Sequence, residues 1–162
     1  MLVAMVIVLF ASQALCVEAT RGLRLSRDEP PVIDDFAWNL LTEITGVDAG
    51  DHLEKPGEGG PESLACTKKP GPDRLDCPAA ISAWTELTDD ARNIAIEGGR
   101  CRSATKGTCR ATACAPGQDI SVGLDEVMGR MWNPVSMRCV LGGTGGIWQN
   151  EGSTLVIELG RP

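Results

Sequence analysis

Residues 101–114 read CRSATKGTCRATAC and place three cysteines within fourteen positions. Residues 100–115 as a whole are rich in threonine and alternate in polarity, a pattern typical of β-strands. A turn at Lys106 and Gly107 would fold this stretch into a hairpin, and without that turn it forms one long strand. Its cysteines are either metal ligands, nucleophiles or halves of disulfides.

The first 15 residues, MLVAMVIVLFASQAL, form an uncharged and almost wholly apolar run that small and polar residues follow. This pattern is typical of a secretory signal peptide. The run is shorter than the roughly 20 apolar residues that span a bilayer. Cleavage fits best after Ala19, and a cut after Cys16 is also compatible with the pattern. We therefore predict a signal peptide over residues 1–19 and a secreted, extracellular protein without stable membrane insertion.

Either cut removes Cys16 from a chain with seven cysteines and leaves six. An even set of six cysteines in an oxidising compartment predicts three disulfides. A metal site is disfavoured because no spacing is C-x-x-C and His52, the one histidine, lies outside the cluster. A reactive thiolate would need a stabilising partner such as histidine. We expect no metal and no cofactor, and we assign to disulfides Cys66, Cys77, Cys101, Cys109, Cys114 and Cys139.

The net negative charge of the chain lies in the segment before Cys66. Residues 20–62 hold ten acidic and four basic residues, a net charge of −6, whereas residues 63–162 hold eleven of each. A nucleic-acid-binding surface needs a basic patch to displace counterions from phosphates. The neutral C-terminal part therefore predicts no nucleic-acid partner.

The acidic segment, residues 20–63, is interpreted as an N-terminal arm with a flexible linker. Within it, residues 32–47 place Asp34 and Asp35 at a helix start and apolar residues near helical spacing, which predicts a short amphipathic helix. Residues 48–63 are rich in glycine, proline and acidic side chains, which favours a flexible linker. The arm is a pro-segment, a docking element or a disordered tail.

The arm begins with RGLR at residues 21–24. This sequence resembles the R-x-L-R motif that follows the signal peptide in many translocated oomycete effectors. The resemblance implies that Arg21, Leu23 and Arg24 form a translocation motif. The alternative interpretation is a solvated basic start to an acidic arm.

The remaining residues, 64–162, are predicted to form one cysteine-rich domain, small enough for disulfides to matter to its stability. Asp76 can cap a helix, Pro78 suits its first turn, and an apolar stripe predicts that this helix covers residues 78–96. Tryptophans 84, 132 and 148 and methionines 128, 131 and 137 are interpreted as packing residues.

A second helix is indicated between residues 119 and 133, with Pro134 as its stop. The sequence DISVG could equally extend a strand, so that this helix begins near Leu124. After it, GIWQ and STLVIEL predict strands beside a glycine-rich turn. The order of elements predicts an α+β fold, a disulfide-stabilised α/β sandwich with two helices packed on one face of an antiparallel sheet.

Five segments of the domain carry a resemblance: RLDCPAAI, GTCRATAC, ISVGLDEV, RCV and STLVIEL. In cysteine placement and order of elements they resemble the killer-toxin-like and necrosis-inducing secreted effectors of fungi. That family consists of small disulfide-linked α/β-sandwich proteins, some of which block ion channels or perturb competing or host cells. The cysteines that match its framework are Cys77, Cys109 and Cys139. The acidic arm and the scarcity of lysine are departures from it.

One disulfide pairing can be inferred from geometry. If the hairpin turns at Lys106 and Gly107, Cys109 lies at the turn end of the sheet. The start of the first helix lies at that end too, which favours a Cys77–Cys109 disulfide.

The sequence offers little for catalysis. The GGTGG stretch at residues 142–146 precedes a strand rather than a helix, so a hairpin turn is favoured over a phosphate cradle. Adjacent carboxylates on helices point apart, and the domain lacks the histidine and tyrosine that a small ribonuclease would use. Trp148, beside Gly145 and Gly146, is the side chain that could contact a partner.

We therefore predict a non-enzymatic, monomeric secreted effector or killer-toxin-like protein. Its expected partner is a host or competitor cell protein or cell-surface component. Two alternatives stay open: a small secreted hydrolase of nuclease type, and a translocated RxLR-type effector that acts inside a host cell.

Overall fold

The computed structural model describes residues 29–41, 62–67 and 70–162. In these residues the strands are β1 (Val32–Ala37), β2 (Glu62–Cys66), β3 (Asn93–Ile96), β4 (Arg100–Lys106), β5 (Cys109–Ala115), β6 (Ile120–Gly123), β7 (Gly146–Asn150) and β8 (Val156–Gly160). The α-helices are α1 (Cys77–Ser82) and α2 (Leu124–Arg130). Short 3-10 turns cover Trp38–Leu40, Ala83–Leu87, Val140–Gly142 and Glu151–Ser153, and a π-helical segment covers Met131–Ser136.

Six of the strands form one antiparallel sheet in the order β1–β4–β5–β8–β7–β2. The other two, β3 and β6, form a separate antiparallel pair. The fold is therefore α+β with an antiparallel sheet, as the order of elements predicted.

The helices cover one face of the six-stranded sheet, which we call the helix face. α1 packs on β4 and β5, and the π-helical segment after α2 packs on β7 and β8. Because side chains alternate along a strand, every second residue of the central strands reaches this core. The strand residues buried there are Ala104, Cys109, Ala111, Ala113, Ala115, Trp148, Ile157 and Leu159.

The predicted hairpin is present, and its turn is fastened to the start of α1. Lys106 pairs with Cys109, so Gly107 and Thr108 form a two-residue turn. Gly107 has a φ of +56°, and a Cβ there would lie 2.5 Å from a carboxylate oxygen of Asp76. That carboxylate accepts hydrogen bonds of 2.8 Å from the backbone N–H and the hydroxyl of Thr108. Asp76 therefore binds the turn and does not cap α1 with its side chain.

Three disulfides link the six predicted cysteines: Cys66–Cys139, Cys77–Cys109 and Cys101–Cys114. The inferred Cys77–Cys109 pairing is confirmed, because the hairpin turn lies beside the first residues of α1. Cys101–Cys114 joins directly opposed residues of β4 and β5. Cys66–Cys139 joins the end of β2 to the chain that follows the π-helical segment.

The prediction of one long helix over residues 78–96 was wrong beyond Leu87. The backbone is extended at Thr88, and the Asp89 side chain accepts hydrogen bonds of 2.9 and 2.8 Å from the N–H groups of Ala91 and Asn93. Arg92 then adopts a φ of +61°, which ends any helical path. Residues 93–96 form β3, in which burial alternates with the period of a strand.

The second helix begins at Leu124 after strand β6, as the alternative interpretation of DISVG predicted. α2 ends at Arg130, and helical backbone continues to Trp132. Asn133 then leaves the helical conformation, with a φ of −138° and a ψ of 115°, because the residue before a proline is driven to extended backbone. The predicted stop at Pro134 is therefore confirmed, and a separate helical stretch begins after it.

The helix predicted over residues 32–47 was wrong for residues 32–37, which form β1 at one edge of the sheet. The β-branched and aromatic side chains of Val32, Ile33 and Phe36 favour a strand, and β4 supplies the partner. Glu62 and Ser63, assigned to the linker, belong to β2 at the other edge. The described residues 31–41, which belong to the predicted arm, are therefore part of the same compact unit as the cysteine-rich domain.

The signal peptide, the RGLR motif and most of the linker lie outside the described residues. Within residues 29–41, 62–67 and 70–162 no helix is long and apolar enough to cross a membrane.

The disulfides should differ in what they contribute to stability. Cys66–Cys139 and Cys101–Cys114 close sequence separations of 73 and 13 residues. Because a longer loop loses more entropy in the crosslinked unfolded chain, Cys66→Ala/Cys139→Ala should lower the free energy of unfolding by about 1.5 kcal/mol more than Cys101→Ala/Cys114→Ala. Urea unfolding of the two double variants measures the difference, and the reverse order would contradict this account.

Candidate functional site

A groove of about 270 Å³ lies between β2 and the helical region that follows α2. We call it the Arg138 groove, and it is lined by Glu62, Ser63, Leu64, Arg130, Asn133, Pro134, Arg138 and Trp148. Three lining residues come from β2 and four from the end of α2 and the segment after it. The groove therefore exists because the sheet order places β2 at the edge beside β7, on which this segment packs.

Glu62 is the acidic side chain of the groove, and its charge is already compensated. Its carboxylate forms an ion pair with Arg130 and accepts a hydrogen bond of 3.3 Å from the indole nitrogen of Trp148. The Arg130 guanidinium lies 4.9 Å from the centre of the Trp148 ring, within the range of a cation–π contact. These contacts hold the beginning of β2 against α2.

Arg138 supplies a second positive charge to the groove. Its side chain is exposed, and no carboxylate among the described residues forms an ion pair with it. A guanidinium presents a planar set of donors that matches a carboxylate or phosphate. Arg138 can therefore bind an anionic group that enters the groove.

Large apolar side chains are exposed on the segment that carries Asn133, Pro134 and Arg138. The exposed fractions are 39% for Trp132, 62% for Met137 and 56% for Leu141. The interpretation of Met137 as a core residue was wrong, because the helical period does not continue through the break at Asn133. Trp132 keeps more than half of its surface covered, which the interpretation of it as a core or half-buried packing residue allowed. Residues on the buried side of the same segment, Met131 and Val135, are fully buried as expected of core residues.

The structure does not expose the residues predicted to contact a partner. Trp148 is 1% exposed, and Gly145 and Gly146 are buried. A Cβ at Gly146 would lie 2.8 Å from the Cys139 sulfur, so this glycine is required by the close approach of the Cys66–Cys139 disulfide. Trp148 lines the groove, but its side chain is covered there by Arg130 and Glu62. No sequence signal distinguished it from the exposed Trp132.

A second cleft, of about 360 Å³, is lined by Asp35, Ala95, Ile96, Glu97, Arg100 and Arg102. Arg102 donates to Asp35 at 3.0 Å and to the backbone carbonyl of Ala95 at 3.4 Å. Arg102, one of the two arginines of this cleft, is thus already bound within the protein. This leaves the Arg138 groove as the stronger candidate.

A cluster of polar side chains is buried on the other face of the six-stranded sheet. Arg110 and Glu158 form an ion pair of 3.8 Å there, and Glu158 is 2% exposed. Within the described chain, Arg110 Nε and Nη2 and Glu158 Oε2 have no hydrogen-bond partner. A Cβ at Gly160 would lie 1.7 Å from a Glu158 carboxylate oxygen, so glycine is needed to accommodate that carboxylate.

Burial raises the pKa of Glu158 from its ordinary value of 4.5 to about 7. The positive charge of Arg110 and the Thr112 hydroxyl act in the opposite direction but offset only part of the cost of burying the charge. Glu158 is therefore a buried group that changes charge near neutral pH, and its burial keeps it away from any substrate.

Metal binding finds no support in the described part of the chain, which has no group of three or more histidine, cysteine, aspartate or glutamate side chains arranged to hold an ion. The glycine-rich stretch leads into β7, a strand, as the sequence predicted. Its turn is tied to the chain before α1, because the Gly71 N–H donates to the Gly143 carbonyl at 3.1 Å.

No protein-family model matches the chain, and no curated protein matches it significantly.

Glu158 should make stability depend on pH. Its pKa is higher in the folded than in the unfolded protein, so folding binds a proton and stability falls as pH rises from 4.5 through 7. Glu158→Gln removes this dependence. Its free energy of unfolding, relative to that of the wild type, should rise by about 3 kcal/mol between pH 4 and pH 8.

Urea unfolding at a series of pH values measures this difference, and the exposed Glu86→Gln substitution serves as the control. A difference between Glu158→Gln and the wild type that does not change with pH would contradict the buried, protonated carboxyl.

Proposed function

We propose that this protein is a secreted, disulfide-stabilised effector or killer-toxin-like protein that binds a host or competitor macromolecule without catalysis. The observation that carries the proposal is the exposure of Trp132, Met137 and Leu141 on the same stretch of chain that supplies Asn133, Pro134 and Arg138 to the Arg138 groove. The partner is a protein or a cell-surface component, and the effector itself is a monomer.

The composition of this surface supports binding. Tryptophan, methionine and arginine are enriched at protein interfaces, and tryptophan and arginine are frequent among the few residues that dominate affinity. Here Trp132, Met137 and Arg138 occur within seven positions and are all exposed. We call the set Trp132, Met137, Arg138 and Leu141 the binding surface.

The state of the acidic groups supports binding without catalysis. General acid or base chemistry requires a carboxylate within hydrogen-bond reach of the substrate. Glu62 is engaged by Arg130 and Trp148, and Glu158 is buried beneath the sheet surface. Neither carboxylate is placed to exchange a proton with a ligand at the binding surface.

The disulfides support the proposed secretion. Disulfides form and persist in oxidising compartments and are rare in the cytosol, and this protein has three of them. They are compatible with export and with the cysteine framework of the fungal effectors described above. Entry into a host cell through Arg21, Leu23 and Arg24, and a hydrolase activity, stay alternative predictions.

The binding surface can be tested with the secreted full chain, labelled with a fluorophore and applied to yeast cells and plant protoplasts. Trp132→Ala/Met137→Ala should weaken binding to the responsive cells by at least about tenfold, because it removes a tryptophan, a residue type frequent at hot spots, together with a methionine, a type enriched at interfaces. Leu75→Ala, which truncates an exposed apolar side chain outside the groove, is the matched control and should bind as the wild type does.

Cell viability is scored in parallel, since an effector or toxin should change it only where it binds. Equal binding by the double variant and the wild type would reject the binding surface. Turnover of a nucleic acid or glycoside by the purified protein would reject the absence of catalysis.

A further inference from the structure

The free edge of β2 borders the Arg138 groove. β2 is the last strand of the six-stranded sheet, and β7 is its one partner strand among the described residues. An edge strand presents unpaired backbone N–H and C=O groups along its outer side. These groups can pair with a strand supplied by another chain.

The hydrogen-bond pattern identifies the residues whose backbone groups point outward. The Thr67 N–H donates to the Gly145 carbonyl at 2.9 Å, so these two opposed residues form a hydrogen-bonded pair. Bonded and non-bonded pairs alternate along an antiparallel ladder. Given the register of β2 and β7, Ser63 and Ala65 bond to β7. Glu62, Leu64 and Cys66 therefore direct their N–H and C=O groups to the free edge.

The groove lies beside this edge strand. Glu62 and Leu64 point to the helix face, where Trp148 lies opposite Leu64 on β7. With Ser63 between them, they line the Arg138 groove, and Asn133 and Arg138 form its other wall. The groove therefore opens on the helix face next to β2, the last strand of the sheet.

The charges of the groove favour an acidic occupant. Arg130 is compensated by Glu62, whereas Arg138 has no ion-pair partner among the described residues. An incoming carboxylate would supply that partner. The outward backbone groups of Glu62, Leu64 and Cys66 repeat every two residues, about 6.6 to 6.8 Å. An extended peptide presents backbone N–H and C=O groups at the same repeat, whereas the backbone of a nucleic acid or a glycan has no such paired donors and acceptors.

We infer that the partner docks as an extended acidic peptide segment that adds a strand to the free edge of β2 and places a carboxylate on Arg138. This inference rests on the proposed function and specifies the chemistry of the partner. In this arrangement the peptide backbone forms hydrogen bonds with the outward N–H and C=O groups of Glu62, Leu64 and Cys66.

The first experiment selects binders from a library of random linear peptides on the disulfide-intact full chain. The enriched peptides should carry aspartate or glutamate. When the best of them is bound, amide hydrogen exchange at Leu64 should slow by at least about tenfold, because its N–H gains a partner. Exchange at Ala65, whose N–H already bonds to β7, should change far less.

Two pairs of variants separate the backbone contact from the charge contact. Leu64→Pro removes the outward N–H, a change that an edge strand tolerates, whereas Leu64→Ala removes the side chain and keeps the N–H. Leu64→Pro should bind the peptide at least about tenfold more weakly than Leu64→Ala. Arg138→Glu should abolish the preference for acidic peptides. Arg74→Glu, a charge reversal at an arginine that is also exposed, should retain it.

Should Leu64→Pro fail to fold, the exchange measurement on the wild type and the Arg138→Glu variant decide the inference. Enriched peptides without acidic residues, or no slowing of exchange at Leu64, would overturn it. No enrichment at all, with cell binding through Trp132 and Met137 intact, would overturn the peptide inference and leave the proposed function standing. Loss of cell binding as well would remove the proposed function.

Discussion

The pairing of β5 with β8 is the constraint on which the rest of the structure depends. It joins the β4–β5 hairpin to the β7–β8 hairpin, and both strands are buried along their whole length. On the helix face the pairing places Ala111 and Ala113 opposite Leu159 and Ile157, which leaves room for the helices above the small alanines. With this register fixed, β1 and β2 have one position each, at the two edges of the sheet.

The candidate site follows from the edge position of β2. The strand is short, and it is held at both ends, by the Cys66–Cys139 disulfide and by the contacts of Glu62 with Arg130 and Trp148. The disulfide joins it to the chain after the π-helical segment, and Glu62 joins it to the last residue of α2 and to β7, so one wall of the groove is fixed relative to the other. A surface built on crosslinked elements loses little entropy when a partner binds, which favours affinity. The fold thus supplies rigidity where the proposed function needs it.

Local patterns in the sequence predicted much of the fold and little of the site. Alternating polarity, the turn at Gly107 and the even set of cysteines were sufficient for the hairpin, the α+β class and the Cys77–Cys109 pairing. The helix over residues 78–96 failed because a side-chain hydrogen-bond pattern at Asp89 overrides the apolar period. Trp132 and Trp148 could not be told apart, since the break at Asn133 and the tertiary position of β2 decide which one is exposed.

The most direct test of this account is the disulfide map of the purified protein, obtained by proteolysis without reduction and mass spectrometry. The account predicts three linked peptide pairs, Cys66–Cys139, Cys77–Cys109 and Cys101–Cys114, with no free thiol among these six cysteines. A free Cys66, or Cys66 linked to any residue other than Cys139, would contradict it. In that case the disulfide would not hold β2 beside the Arg138 groove, and the groove would lose the wall that β2 forms.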